Sequence, residues 1–299
     1  MDSVTYDHLV QYKQTFLEPQ PNRPMKTLSI LLIMNFCMLK GTVAQVEPTT
    51  EDQNFFENAV DDFENEYYIG AAEKFEAFLT KFPKSPLVPR AHFNLGFTHS
   101  ELRNYITAKR IFHQILDQPY NEQDENNVME PYALYKHHSC RQLAAIALLE
   151  KDYVAAAKYI RMFDEEYPYQ HFCGNEWSAY YMYKATMLAK VYKGRGELKK
   201  ALTVLLPFIF SDELASNEEV VRELSHLLDE HYTKDQIREE FERALTTLEV
   251  REKKKQRNAT MKLYGVKVIL EDYYNDPTID AREYFQQKIR EHELFRKFL

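Results

Sequence analysis

Residues 68–83 read YIGAAEKFEAFLTKFP, and their skeleton, Tyr68, Ala71, Phe75, Phe78 and Pro83, returns further along the chain. Steps of three and four residues put Ala71, Phe75 and Phe78 on one face of a helix that ends before the proline. At 105–119 (YITAKRIFHQILDQP) the skeleton is Tyr105, Ala108, Phe112, Ile115 and Pro119. At 153–168 it is Tyr153, Ala156, Ile160, Phe163 and Pro168, and at 198–208 it is Leu198, Ala201, Leu205 and Phe208. The four alanines stand 37, 48 and 45 residues apart. Each interval exceeds the ~34 residues of the shortest two-helix repeat, so each unit is a helical hairpin with a linker of variable length. Such repeats predict a binding surface rather than a catalytic centre.

A helix before each skeleton carries a leucine and a small residue: Leu95-Gly96, Leu143-Ala144 and Leu188-Ala189, with Ala59 at the small position of the first unit. Small residues belong where two helices cross closely, because a large side chain would hold the backbones apart. Lys151-Asp152-Tyr153 and Gly194-Arg195-Gly196-Glu197-Leu198 read as polar turns between helices, and a weaker fifth unit fits Leu224, Leu228, Ile237, Phe241 and Ala244. Over residues 53–247 this pattern resembles the tetratricopeptide repeat family, whose units are two antiparallel helices with small residues at the crossing and a closing proline. The resemblance implies an all-α solenoid of about four to five hairpins whose first helices line a concave groove.

Carried onto this register, the resemblance picks out groove positions for a protein or peptide ligand. They are Arg90, Asn94 and Phe97 in the second unit, His138, Arg141 and Gln142 in the third, and Tyr183, Lys190 and Lys193 in the fourth. Several are basic, which suits an acidic segment or a C-terminal carboxylate, and Arg holds a carboxylate with two parallel hydrogen bonds. Two linkers are longer than the family's, at residues 117–131 and 167–178. Asp124, Glu125 and Glu130 in the first lack the alternate spacing and central glycine of a calcium loop.

The 299-residue chain is 44% hydrophobic and 14% aromatic, enough to bury a core, and its 7 glycines suit an array of helices. A formal charge of −8 argues against nucleic acid as a partner. The basic run Arg251–Arg257 (REKKKQR) reads as the solvated end of a long helix.

Residues 25–44 have the layout of a secretory signal: Met25, Lys26, thirteen mostly apolar residues from Thr27 to Leu39, and small residues ending at Ala44. The apolar core is shorter than a spanning helix needs. Residues 1–24 are polar and precede a second methionine, which reads as an over-extended start, with the mature chain beginning near Gln45. That chain keeps 43 acids and 34 bases, a net of −9. Export to the periplasm is expected, with no stable membrane insertion after cleavage; an uncleaved signal anchor that tethers the protein is the alternative. The ending Ala44-Gln45 resembles signal peptides of Bacteroidetes. Cys140 and Cys173 remain, and spacing alone leaves open whether they pair.

Residues 45–258 are thus expected to form the repeat domain and 259–299 a cap or appendage that covers the last hairpin. Within the appendage, residues 261–270 (MKLYGVKVIL) fit a short strand or a continued helix equally well, and Asp280 begins a final helix. The Asn258-Ala259-Thr260 sequon would matter only in a eukaryotic secretory pathway. No phosphate loop, GxSxG elbow, HExxH helix or dinucleotide fingerprint occurs in the sequence. His226 and His231, five apart, fall on different sides of a helix. Neither cofactor nor metal is expected. The expected function is a non-enzymatic protein-binding scaffold of the bacterial envelope, with a structural subunit of an envelope machine of the Tol-Pal or outer-membrane assembly type as the alternative.

Overall fold

A computed structural model describes residues 50–120, 133–171, 174–211, 214–253, 256–272 and 278–298. The signal-like segment, the residues before it, Asp124, Glu125, Glu130 and Cys173 lie outside them. The chain is mostly helical and divides into two compact units on either side of Ile115 and Leu116.

The first unit contains α1 (Thr50–Glu64), α2 (Tyr68–Lys81), α3 (Val88–Glu101) and the body of α4 (Tyr105–Asp117). Helix α2 packs on both α1 and α3. Its core is aromatic: Phe56 meets Phe75 and Phe78 with ring centroids 5.8 and 5.7 Å apart, and Phe93 meets Phe112 at 5.8 Å. Small residues make room for these rings. Ala59, Ala71, Ala91 and Ala108 are fully buried, and Gly96 faces the Phe112 ring.

The second unit continues with α5 (Tyr135–Leu149), α6 (Tyr153–Arg161), a π-helical extension of α6 (Met162–Glu166), α7 (Gly174–Gly194) and α8 (Leu198–Leu205). Then come α9 (Glu218–His231), α10 (Lys234–Thr246), strands β1 (Glu249–Lys253), β2 (Gln256–Leu263) and β3 (Val266–Asp272), and helices α11 (Ala281–Glu291) and α12 (Glu293–Phe298). Helix α5 packs on α6, α6 on α7, α7 on α8, and α9 on both α7 and α8.

The same turn closes four hairpins. At Glu66, Arg103, Lys151 and Gly196 the backbone is left-handed, with φ of 62°, 56°, 59° and 72°. In each turn the next residue's N–H reaches five residues back: Tyr67 to Asp62, Asn104 to His99, Asp152 to Ala147 and Glu197 to Tyr192, at 2.8 to 2.9 Å. The left-handed residue's own N–H reaches three back, to Phe63, Ser100, Leu148 and Lys193. This pair of bonds is the Schellman closure, which satisfies carbonyls left over at a helix end. The next helix starts alike every time, as Ala71, Ala108, Ala156 and Ala201 each donate to the carbonyl four residues back. All four alanines are fully buried. The α9–α10 connection departs from this: Tyr232 is extended, and Thr233 and Gln236 form a capping box at the start of α10.

An all-α chain was expected, and the sheet corrects it. Strands β1, β2 and β3 form an antiparallel meander, with Val250 opposite Ala259 and Met261 opposite Val268. Ala259, Met261, Leu263, Val268 and Leu270 point into the core and alternate with more exposed neighbours, the period of two that a half-buried strand requires. Tyr264 and Gly265, both left-handed at 50° and 77°, make the tight β2–β3 turn. Of the basic run, Arg251–Lys253 therefore lies in β1 and Gln256–Arg257 in β2, not at a helix end, and the change from helix to strand falls between Thr246 and Glu249. Asn258 lies in the middle strand, opposite Arg251 and Glu271. The C-terminal helix closes against α10, where Phe295 lies 4.2 Å from Phe241.

Candidate functional site

Of the groove positions in the first unit, two are interior. Asn94 and Phe97 on α3 are only 6% and 7% exposed. The Phe97 ring packs on Phe63 at 5.5 Å and stacks on Phe93 at 6.4 Å, while the Asn94 carbonyl accepts from the Thr98 hydroxyl at 2.7 Å. Consecutive buried residues from Phe93 to Thr98 show why: α3 is enclosed on more than one side, so its inward-facing positions serve packing. Arg90, one turn earlier, is half-buried with its guanidinium 5.6 Å from the Phe56 ring.

In the second unit α5 and α7 bring the remaining positions together in part. His138 is buried and is no surface contact. Arg141, half-buried on α5, lays its guanidinium 3.7 Å from the centroid of Tyr183 on α7. A cation held over an aromatic face is attracted by the ring's quadrupole, so the stack fixes the guanidinium against α7. Tyr183 is backed by Phe163 at 6.3 Å, and Gln142 lies beside Arg141 in sequence, also half-buried.

Lys190 and Lys193 have acids of their own. Lys190 Nζ is 2.9 Å from Glu219, and Lys193 Nζ is 2.8 Å from Glu230, both on α9. Burial pulls the Lys190 ammonium below its ordinary pKa, with the Glu223 charge acting the other way. Glu219 also pairs with Arg222. These lysines tie α7 to α9, which leaves Arg141 and Tyr183 as the expected contacts that meet, with Gln142 half-buried next to Arg141 in the chain.

Next to that pair stands an aromatic cluster that the groove register passes over. Tyr169 stacks on Tyr180 at 5.0 Å, Trp177 stands edge-on to both, and Tyr181 lies 5.9 Å from Trp177. The Tyr180 hydroxyl donates to Asp164 at 2.7 Å, and Lys184 reaches the same oxygen at 2.8 Å. Burial acts to raise the Asp164 carboxyl, but the bonds from Lys184 and Tyr180 outweigh it and hold the group below the usual carboxylate range. Burial and the adjoining carboxylate push the Tyr180 hydroxyl far up. The run Tyr180-Tyr181-Met182-Tyr183 and the lone Trp177 were the sequence signals for this cluster.

Cys140 is buried on α5, and its potential partner Cys173 lies outside the described residues. Among the described residues no group of three His, Cys, Asp or Glu side chains is arranged to hold a metal ion, and no helix is long and apolar enough to cross a membrane. No protein-family model matches this chain, and no curated protein matches it.

Proposed function

We propose that the chain is a tetratricopeptide-like helical-repeat scaffold of the bacterial envelope that binds a protein or peptide and performs no chemistry of its own. The observation that carries this reading is the recurrence of one turn, one left-handed residue and one buried alanine in four successive hairpins. A chain that repeats a hairpin in register stacks its units and presents equivalent helix faces in series, which suits an extended ligand. The ligand face in the second unit is Arg141, Gln142 and Tyr183, where the positive charge stacked on Tyr183 suits an acidic segment or a C-terminal carboxylate. The signal-like layout of residues 25–44 supports a periplasmic location.

The alternative, a structural subunit of an envelope assembly, draws on a different feature. Ile69, Ile106 and Val154 are 60%, 82% and 74% exposed, and each is the second residue of the second helix in its hairpin. A permanent assembly buries apolar surface of this kind, whereas transient capture leaves it wet. Affinity capture from envelope extract separates the two. A partner lost on Arg141→Gln supports peptide capture at the α5–α7 face. A partner lost on Ile106→Asp with Val154→Asp, and kept on Arg141→Gln, supports the assembly.

A further inference from the structure

Helix α6 ends in a π segment, Met162–Glu166, where the Tyr167 N–H bonds to the Met162 carbonyl five residues back at 2.9 Å. Single π turns are rare and concentrate where a helix has a task beyond packing. Here a side chain from another helix takes up the carbonyls of the widened turn. His137 Nδ1 on α5 lies 3.1 Å from the Phe163 carbonyl and 2.8 Å from the Tyr167 carbonyl. Both partners accept only, so Nδ1 carries the hydrogen and Nε2 is the bare nitrogen. Nε2 is buried without a hydrogen-bond partner among the described residues. His137 thus fastens the π segment and the loop after it to α5. Further along that loop Tyr169 stacks on Tyr180, and the His171 carbonyl accepts the Trp177 indole N–H at 2.8 Å.

We infer that His137 is an acid-sensitive latch, whose protonation frees the π segment and the loop Tyr167–His171 from α5 and α7 while the helices remain folded. A proton can add only at Nε2. In the closed arrangement this makes a buried donor with no acceptor, enclosed by the rings of His138, Phe163, Tyr169 and Tyr180 with centroids 5.2 to 5.7 Å away. The ring has to swing out to hydrate the new N–H, and both Nδ1 bonds break as it does.

Burial holds the closed imidazole down at about 4, from an ordinary 6.5, against the opposing pull of its two backbone bonds and the Asp164 charge. The open form titrates at the ordinary value, so it binds the proton more tightly and gains population as the pH falls from 6.5 towards 4. That difference raises the opening constant about a hundredfold between neutral pH and pH 4.

The surrounding charges act in both directions. On α5, burial and then His137 hold His138 well below its ordinary range, so a charge on either ring repels a charge on the other. Arg141, one turn along α5, adds a fixed positive charge. On the π segment Asp164 opposes release, but Lys184 and Tyr180 of α7 already bind its carboxylate. Glu165 and Glu166 are exposed to solvent. In the loop, Tyr167 lies under Lys136, 5.6 Å from its ring centroid, and His171 is half-exposed.

Trp177 is the only tryptophan of the chain, so its emission reports this loop. Full-length protein titrated from pH 7.5 to 4 is expected to show a reversible change in tryptophan emission with a midpoint between 6.5 and 4, at constant helical circular dichroism. The step should vanish in His137→Gln and survive in His171→Gln, which removes a second imidazole of the same loop and keeps the backbone carbonyl that accepts the indole N–H. Flat emission in the native protein, a change that only accompanies loss of helix, or an unaltered step in His137→Gln overturns the latch. Should His137→Gln not fold, hydrogen exchange of residues 163–171 in the native protein at pH 7 and 5, corrected for intrinsic rate, decides it. Faster exchange there than in α8 at the lower pH is expected, and equal protection overturns the proposal.

Discussion

A β-carbon on Gly96 would stand 2.8 Å from Cε1 of Phe112, closer than carbon atoms approach without something moving. The glycine of α3 and the ring of α4 are therefore a matched pair, and the hairpin closes to this distance because one partner has no side chain. Gly96→Ala is expected to force the ring aside and cost about 1 to 3 kcal/mol of stability, in spite of alanine's better helix propensity. Urea denaturation checks this, and Phe112→Leu in the same chain should recover part of the loss. A Gly96→Ala protein more stable than the native one would show that the ring has room to spare.

Gly196 sits in the left-handed turn between α7 and α8 with open space where a β-carbon would go. Its substitution therefore tests conformation alone. Gly196→Ala should lose about 1 kcal/mol, and Lys151→Gly, in the equivalent turn between α5 and α6, should gain up to about 1 kcal/mol. Thermal melts of the two variants should shift in opposite directions.

Phe241 and Phe295 are both fully buried, and their contact joins α10 to the C-terminal helix α12. Phe295→Ala is expected to cost about 3 to 5 kcal/mol, as for other large buried aromatics. Lys297 on the same helix pairs with Asp229 of α9 at an exposed position. Lys297→Ala should therefore change stability by less than about 1 kcal/mol. Equal effects of the two substitutions would mean that charge, not the aromatic contact, docks the helix.

The hairpins were readable because their signal repeats: an alanine, then large apolar residues at helical spacing, four times over. The sheet was not. Residues 251–257 are rich in Lys, Arg and Glu, which favour helix, and β2 offers only Ala259, Met261 and Leu263 as alternation. Its turn, Tyr264-Gly265, lacks the Asn-Gly or Asp-Gly signature of a tight hairpin. The site was legible only in part. Arg141 and Tyr183 do meet, but Asn94, Phe97 and His138 are enclosed because stacked helices bury more than one face. The partners of Lys190 and Lys193 lie 29 and 37 residues away, and the carbonyls held by His137 lie 26 and 30 residues away. No local pattern announces contacts of that range.

The signal-like segment makes its own prediction. Native protein recovered from the envelope fraction should begin near Gln45 or Val46 on N-terminal sequencing. Intact Met1 in a soluble cytoplasmic fraction would remove export from the proposed function.

The most direct measurement of that function is parallel affinity capture from envelope extract by the native protein and by Arg141→Gln, at low salt, with captured proteins identified by mass spectrometry. Both baits must first show the same helical circular dichroism and melting temperature. A scaffold that binds through the Arg141–Tyr183 face should retain a defined protein that the Arg141→Gln bait loses. Recovery of the same proteins in the same amounts on both baits would contradict it.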